Sequence, residues 1–135
     1  MKKVNFVISM IAVFILLFTG CGTSSKLPEG FTEEQVKEQT IQDIQLASTE
    51  GYEAWKNRFQ EEMQSGLTEA SFDSFLSLLE EKGEFKEYGK CAFVGQEQDG
   101  NKYAACIMIV EYENGSLQYT VGYDEDMNLV QFVVK

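Results

Sequence analysis

The sequence predicts an α+β fold, with N-terminal helices packed on a four-stranded antiparallel meander. Three observations predict it. Residues 90–135 alternate apolar and polar side chains with period two, this stretch is cut at short intervals by turn residues, and residues 32–83 carry apolar side chains at helical spacing between recognisable caps.

The meander is registered by its turns. Glu113-Asn114-Gly115-Ser116 is the strongest hairpin signal, because Asn-Gly tolerates the positive φ of a type I′ turn. It is expected to set Tyr112 opposite Leu117, Val110 opposite Tyr119, Met108 opposite Val121 and Cys106 opposite Tyr123. A second turn over residues 124–129 pairs Tyr123 with Val130 and brings Phe132 and Val134 to the same face. A loop around Asp99 and Gly100 adds Cys91 and Phe93. That face is apolar or aromatic throughout. The opposite face holds Ala92, Val94, Ala105, Ile107, Ile109, Glu111, Gln118, Thr120 and Gln131, so it is half apolar and its centre needs cover.

Three helices are expected before the sheet. Thr32-Glu33-Glu34-Gln35 matches a capping box, followed by Val36, Thr40, Ile41, Ile44 and Ala47 on one stripe. A second helix starts near Ser48 or Thr49, aligns Tyr52, Trp55, Phe59 and Met63, and ends at Gly66. Core packing explains the Tyr52, Trp55 and Phe59 spacing better than an aromatic ligand cage does. The third is capped by Thr68, carries Phe72, Phe75, Leu76 and Leu79, and stops at Gly83.

Residues 1–20 read as a targeting segment. Lys2 and Lys3 precede an almost unbroken apolar run over residues 4–18, short for a spanning helix but suited to a signal peptide. Leu17-Phe18-Thr19-Gly20-Cys21 resembles the lipobox of bacterial lipoproteins, which implies a diacylglycerol on the Cys21 thiol and a mature chain starting there. Two acyl chains hold a protein on a bilayer where one barely does. Residues 21–30 are then lipid anchor and flexible tether, and residues 31–135 one domain on the extracytoplasmic face of the cell membrane.

The chain has a formal net charge of −11, and losing Lys2 and Lys3 with an acid-free signal leaves −13. Nucleic acid is excluded as a partner, since phosphate binding needs clustered cations and Arg58 is the only arginine. With no histidine, the commonest general base and metal ligand is missing.

The helix-ending Leu79-Glu80-Glu81-Lys82-Gly83-Glu84-Phe85-Lys86, then Val110-Glu111-Tyr112-Glu113-Asn114-Gly115 and Tyr123-Asp124-Glu125-Asp126, resemble the domain-of-unknown-function family 3887, over roughly residues 41–134. The resemblance implies a small lipoprotein of Gram-positive bacteria with a cystatin-like, or nuclear-transport-factor-2-like, fold. In that fold a curved sheet wraps a helix and sometimes leaves a conical pocket. It brings no catalytic residues, cofactor or metal.

Within such a cone Tyr112, Tyr119 and Tyr123 are the candidate ligand-pocket residues, unless Phe72, Phe75, Leu76 and Leu79 fill it, which is the favoured expectation. The sheet face offers no Asp or Glu to act as the base of an isomerase-like enzyme. Cys91 and Cys106 are either a disulfide or two buried thiols; a four-residue loop sets them opposite, neighbouring registers two or more residues apart. Their spacing suits neither zinc nor a redox motif. Asp124, Glu125, Asp126 and Asn128 read as a solvated hairpin tip ahead of a calcium loop. Val94, Ile107 and Ile109 form the candidate dimer face. The sequence therefore points to a non-catalytic, membrane-tethered lipoprotein that binds itself or a membrane-associated protein. A small-ligand carrier comes second and an isomerase-like enzyme third.

Overall fold

A computed structural model describes residues 26–135. The segment read as a signal peptide, Cys21 and the first part of the segment read as a tether lie outside the described residues. The element order is α1 (Glu33–Thr49), α2 (Tyr52–Asn57), α3 (Glu61–Gln64), α4 (Glu69–Lys82), β1 (Phe85–Gln98), β2 (Asn101–Tyr112), β3 (Gly115–Tyr123) and β4 (Leu129–Val134). The strands form one antiparallel sheet in the order β1-β2-β3-β4, and the α+β arrangement is the expected one.

Helices α1 and α4 begin where their caps place them. The Thr32 Oγ1 accepts from the Gln35 N–H at 3.1 Å, and the Thr68 Oγ1 from the Ser71 N–H at 3.1 Å, each satisfying a donor with no partner inside the helix. Gly83, at φ 79°, ends α4. The single second helix expected through Met63 is instead two short ones, and α1 runs on through Ser48 and Thr49. Tertiary pairing overrides the helical period at the break. Phe59 makes a parallel bridge to Leu129, with the Leu129 N–H donating to the Arg58 carbonyl at 2.8 Å and the Gln60 N–H donating to the Leu129 carbonyl at 3.0 Å.

The hairpin registers also shift. Between β1 and β2 the loop is only Asp99 and Gly100, at φ 53° and 81°, so Gln98 pairs with Asn101 and Cys106 with Phe93. Between β2 and β3 the loop is Glu113 and Asn114, and positive φ falls on Gly115 alone. Val110 therefore faces Leu117, Met108 faces Tyr119 and Cys106 faces Val121. This two-residue displacement keeps every side chain on its expected face. The tip is fixed by the end of α4 and the turn after it, because the Asn114 N–H donates to the Lys82 carbonyl and the Glu113 N–H to that of Glu84, both at 2.8 Å. A bulge at Val130 makes Leu129 the partner of Tyr123. Two register shifts in β1, between Phe85 and Glu87 and between Tyr88 and Cys91, bend that edge strand.

The core lies between the concave sheet face and the helices. Trp55 sits at its centre, with ring centroids 5.0 Å from Phe59, 5.1 Å from Phe72 and 5.9 Å from Phe132. Phe75 reaches Tyr119 and Phe132 edge-on. Leu76, expected inside, is exposed, because Phe72 and Phe75 occupy the sheet-facing side of α4.

Part of the segment read as tether is packed. A Cβ at Gly95 would lie 2.5 Å from the Lys26 carbonyl oxygen and 2.6 Å from Pro28 Cδ, so residues 26–28 cross β1 where it has no side chain, and Leu27 packs against the core. Gly95→Val is expected to displace this segment. Limited proteolysis should then cut at Lys26 at least about ten times faster than in the parent protein, at a stability cost of roughly 1–3 kcal/mol.

Candidate functional site

A buried carboxylate with no counterpart among the candidate residues read from the sequence ties α1 to the sheet. Asp43 is three residues beyond Thr40 and four before Ala47, on the buried stripe of α1, and is 1 % exposed. Its Oδ1 accepts from the Arg58 Nε at 2.6 Å. Its Oδ2 accepts from the Tyr123 hydroxyl at 2.6 Å, the Arg58 Nη2 at 3.1 Å and the Gln39 Nε2 at 3.2 Å. The break between α2 and α3 positions Arg58, whose Nη2 also donates to the Met127 carbonyl at 2.8 Å. Four donors, from α1, the break after α2 and β3, thus converge on one carboxylate.

The electrostatics follow from burial and pairing. The hydrogen bond to Asp43 is the largest influence on Arg58 and raises its pKa further. Burial pushes the Tyr123 phenol well above its ordinary range, and the Asp43 charge adds to this, so Tyr123 stays a donor. A general base needs a lone pair within reach of a substrate proton. The Asp43 oxygens already hold four protein donors, so this arrangement fixes helices to sheet. The sequence did carry a signal: an acid on an otherwise buried stripe and a single arginine.

The other tyrosines of the proposed pocket are closed in the same way. Tyr119 is fully buried, and its hydroxyl meets that of Tyr112 at 2.5 Å. Burial raises both pKa values. Phe75 and Phe132 lie edge-on to the Tyr119 ring, and Phe85 to that of Tyr112, where a ligand would have to sit.

Asp124, expected at a solvated tip, is buried. Its Oδ1 accepts from the Asp126 and Asn128 N–H groups at 2.9 and 2.8 Å, and its Oδ2 from the Gln60 Nε2 at 2.8 Å, so it organises its own loop. Glu125 and Asp126 are exposed.

Cys91 and Cys106 are both free thiols, on the same face but two residues out of step. Cys106 is fully buried and Cys91 half-buried, and the two lie within hydrogen-bonding reach of each other. Burial, then the neighbouring Cys91, pushes the Cys106 thiol up to about 12.

On the convex face, Ala92, Ile107, Thr120 and Val133 form one cross-strand row, and Val94, Ala105, Gly122 and Gln131 the next. Ile109 faces Gln118 beyond them. Neither row contains a charge. Val94, Ile107 and Ile109 are half-exposed, and Ile109 also lines a depression of ≈ 600 Å³ beside the β1 bulge, with Lys86, Lys90, Glu87 and Glu111 around it. The Gln96 and Gln131 Oε1 atoms on this face are buried without a hydrogen-bond partner.

The family described as "Protein of unknown function (DUF3887)" matches residues 41–132, the span from mid-α1 to β4. The chain belongs to this family. It is similar to a solved structure, the NMR structure of a protein from Ruminococcus gnavus ATCC 29149, at 50 % identity and a TM-score of 0.77, over 82 % of this chain and 97 % of that one. No curated protein matches it. Among the described residues of this DUF3887 chain, no helix is long and apolar enough to cross a membrane.

Proposed function

We propose that this DUF3887 chain is a lipoprotein held on the extracytoplasmic membrane face by a diacylglycerol on Cys21, and that it acts by binding a protein, with a second copy of itself as the first partner. The observation that carries this reading is the convex sheet face. In a chain of formal charge −11, two adjacent cross-strand rows are free of charge and hold half-exposed Val94 and Ile107. Two acidic copies can meet there with least repulsion. Sheets pack face to face at about 10 Å with interdigitated side chains.

The carrier reading loses the space it requires, because Tyr119 and Tyr123 are fully buried against protein groups. The isomerase-like reading gains a buried carboxylate, Asp43, but one with both oxygens occupied. Binding through the outer surface needs neither.

Ile107→Glu places a charge at the centre of the face and is expected to convert a dimer to monomers, weakening association at least about 100-fold for a fully desolvated charge. Light scattering on the detergent-extracted protein measures this. A variant as dimeric as its parent, or a parent that is monomeric at every concentration, refutes self-association through this face.

A further inference from the structure

The sulfur atoms of this chain are gathered in a way that neither the family nor the binding reading uses. Cys91 on β1 stands directly opposite Met108 on β2, and Cys106 is two residues from Met108 on the same concave face. Three sulfur-bearing residues therefore occupy one patch of two neighbouring strands. Cys106 and Met108 are fully buried and Cys91 is half-buried, which leaves an access route from solvent at Cys91. The two thiols reach each other, and the Thr40 side chain of α1 lies beside Cys106.

The register decides what such a pair suits. Directly opposed residues have Cβ atoms about 4.5–5.5 Å apart, whereas diagonal neighbours stand about 7–8 Å apart, their Cβ atoms somewhat closer. A disulfide needs Cβ atoms about 3.5–4.5 Å apart and sulfurs bonded at about 2.05 Å, so a diagonal pair closes only if the backbone moves. Two thiolates on one metal ion, at roughly 2.3 Å each, hold their sulfurs about 4–4.6 Å apart, which a diagonal pair reaches without that movement. The donor set selects the metal. Zinc wants four N, S or O ligands, and among the described residues no group of three His, Cys, Asp or Glu comes together. Two thiolates and a thioether are soft donors, the set that favours copper(I), which needs only two or three ligands.

We propose that Cys91, Cys106 and Met108 form a copper(I) site, with the two thiolates as principal ligands and the Met108 thioether completing the coordination. Binding releases both thiol protons to solvent and leaves a bis-thiolate centre of charge −1. Oxidation states do not change, so no oxidant or reductant enters the step.

The test uses the full-length chain carrying Cys21→Ser, so that only Cys91 and Cys106 offer thiols, kept reduced under anaerobic conditions. Copper(I) is supplied as its acetonitrile complex against a chromophoric copper(I) chelator. The expected result is one copper per chain, a thiolate-to-copper band in the ultraviolet, and two thiols masked on loading and recovered with excess chelator. Cys91→Ser, at the half-exposed position, should weaken binding at least about 100-fold. Met108→Leu conserves volume and fold and should weaken it about tenfold. A reduced chain with two titratable thiols that surrenders all copper to the chelator overturns the proposal. So does ready closure of the metal-free pair in air to a product two daltons lighter with unchanged circular dichroism, because the diagonal geometry then poses no obstacle to a disulfide.

Discussion

Asp43→Asn is expected to destabilise the domain by about 3 kcal/mol, toward the lower end of the roughly 3–5 kcal/mol seen when one partner of a buried ion pair is removed. The substitution keeps the shape of the side chain and removes its charge. It leaves the Arg58 guanidinium facing a neutral amide, and the Tyr123 hydroxyl, fully buried, loses a charged acceptor at 2.6 Å. Arg58 moderates the loss, since its side chain is 24 % exposed and keeps the Met127 carbonyl at 2.8 Å, so the stranded charge still reaches water. The midpoint of urea unfolding measures the effect. Asp43→Leu combined with Arg58→Met removes both charges, and should cost less than the two single changes added together, by a coupling of about 1–3 kcal/mol. A loss under about 1 kcal/mol in Asp43→Asn would show that the hub is not what ties α1 to the loop between β3 and β4.

This hub also marks the boundary of what the sequence made legible. The faces of all four strands could be read because alternation and turn residues constrain the same pattern, and a two-residue error in loop placement preserves it: Met108 and Tyr119 meet on the expected face although Val110 was the expected partner. The loops themselves depended on contacts distant in sequence. The backbone of Glu113 and Asn114 is claimed by carbonyls at and just beyond the end of α4, and Phe59 leaves its helical stripe to bridge Leu129, 70 positions on. Asp43 escaped notice for a related reason. A helical stripe of Val36, Thr40, Ile44 and Ala47 has a polar flank at position 43, and whether that flank meets solvent or an arginine depends on where the break after α2 delivers Arg58. Periodicity carries no information about that break.

Alkaline pH should unfold this protein steeply, and the cause is again on the concave face. Tyr112, Tyr119 and Tyr123 all have folded-state pKa values raised above the ordinary value of 10.0, in each case chiefly by burial. A group whose folded pKa is raised contributes stability that is fully present below its unfolded pKa and is lost as pH climbs toward the folded value. The window therefore opens near pH 10 and extends upward; nothing in these three groups alters stability at neutral or acidic pH. Each contributes up to about 1.4 kcal/mol per pH unit, so the three together remove at most about 4 kcal/mol per unit. Against a typical domain stability of about 5–15 kcal/mol, the fold should collapse within roughly one to four units above pH 10. In a pH-jump experiment, phenolate absorbance from these three tyrosines should rise together with the loss of circular dichroism. Tyr119→Phe should reduce the slope by about a third while leaving the Tyr112 hydroxyl without its partner at 2.5 Å. Full phenolate formation near pH 11 in a chain that keeps its circular dichroism would mean that water reaches these hydroxyls, and would reopen the concave face to a ligand.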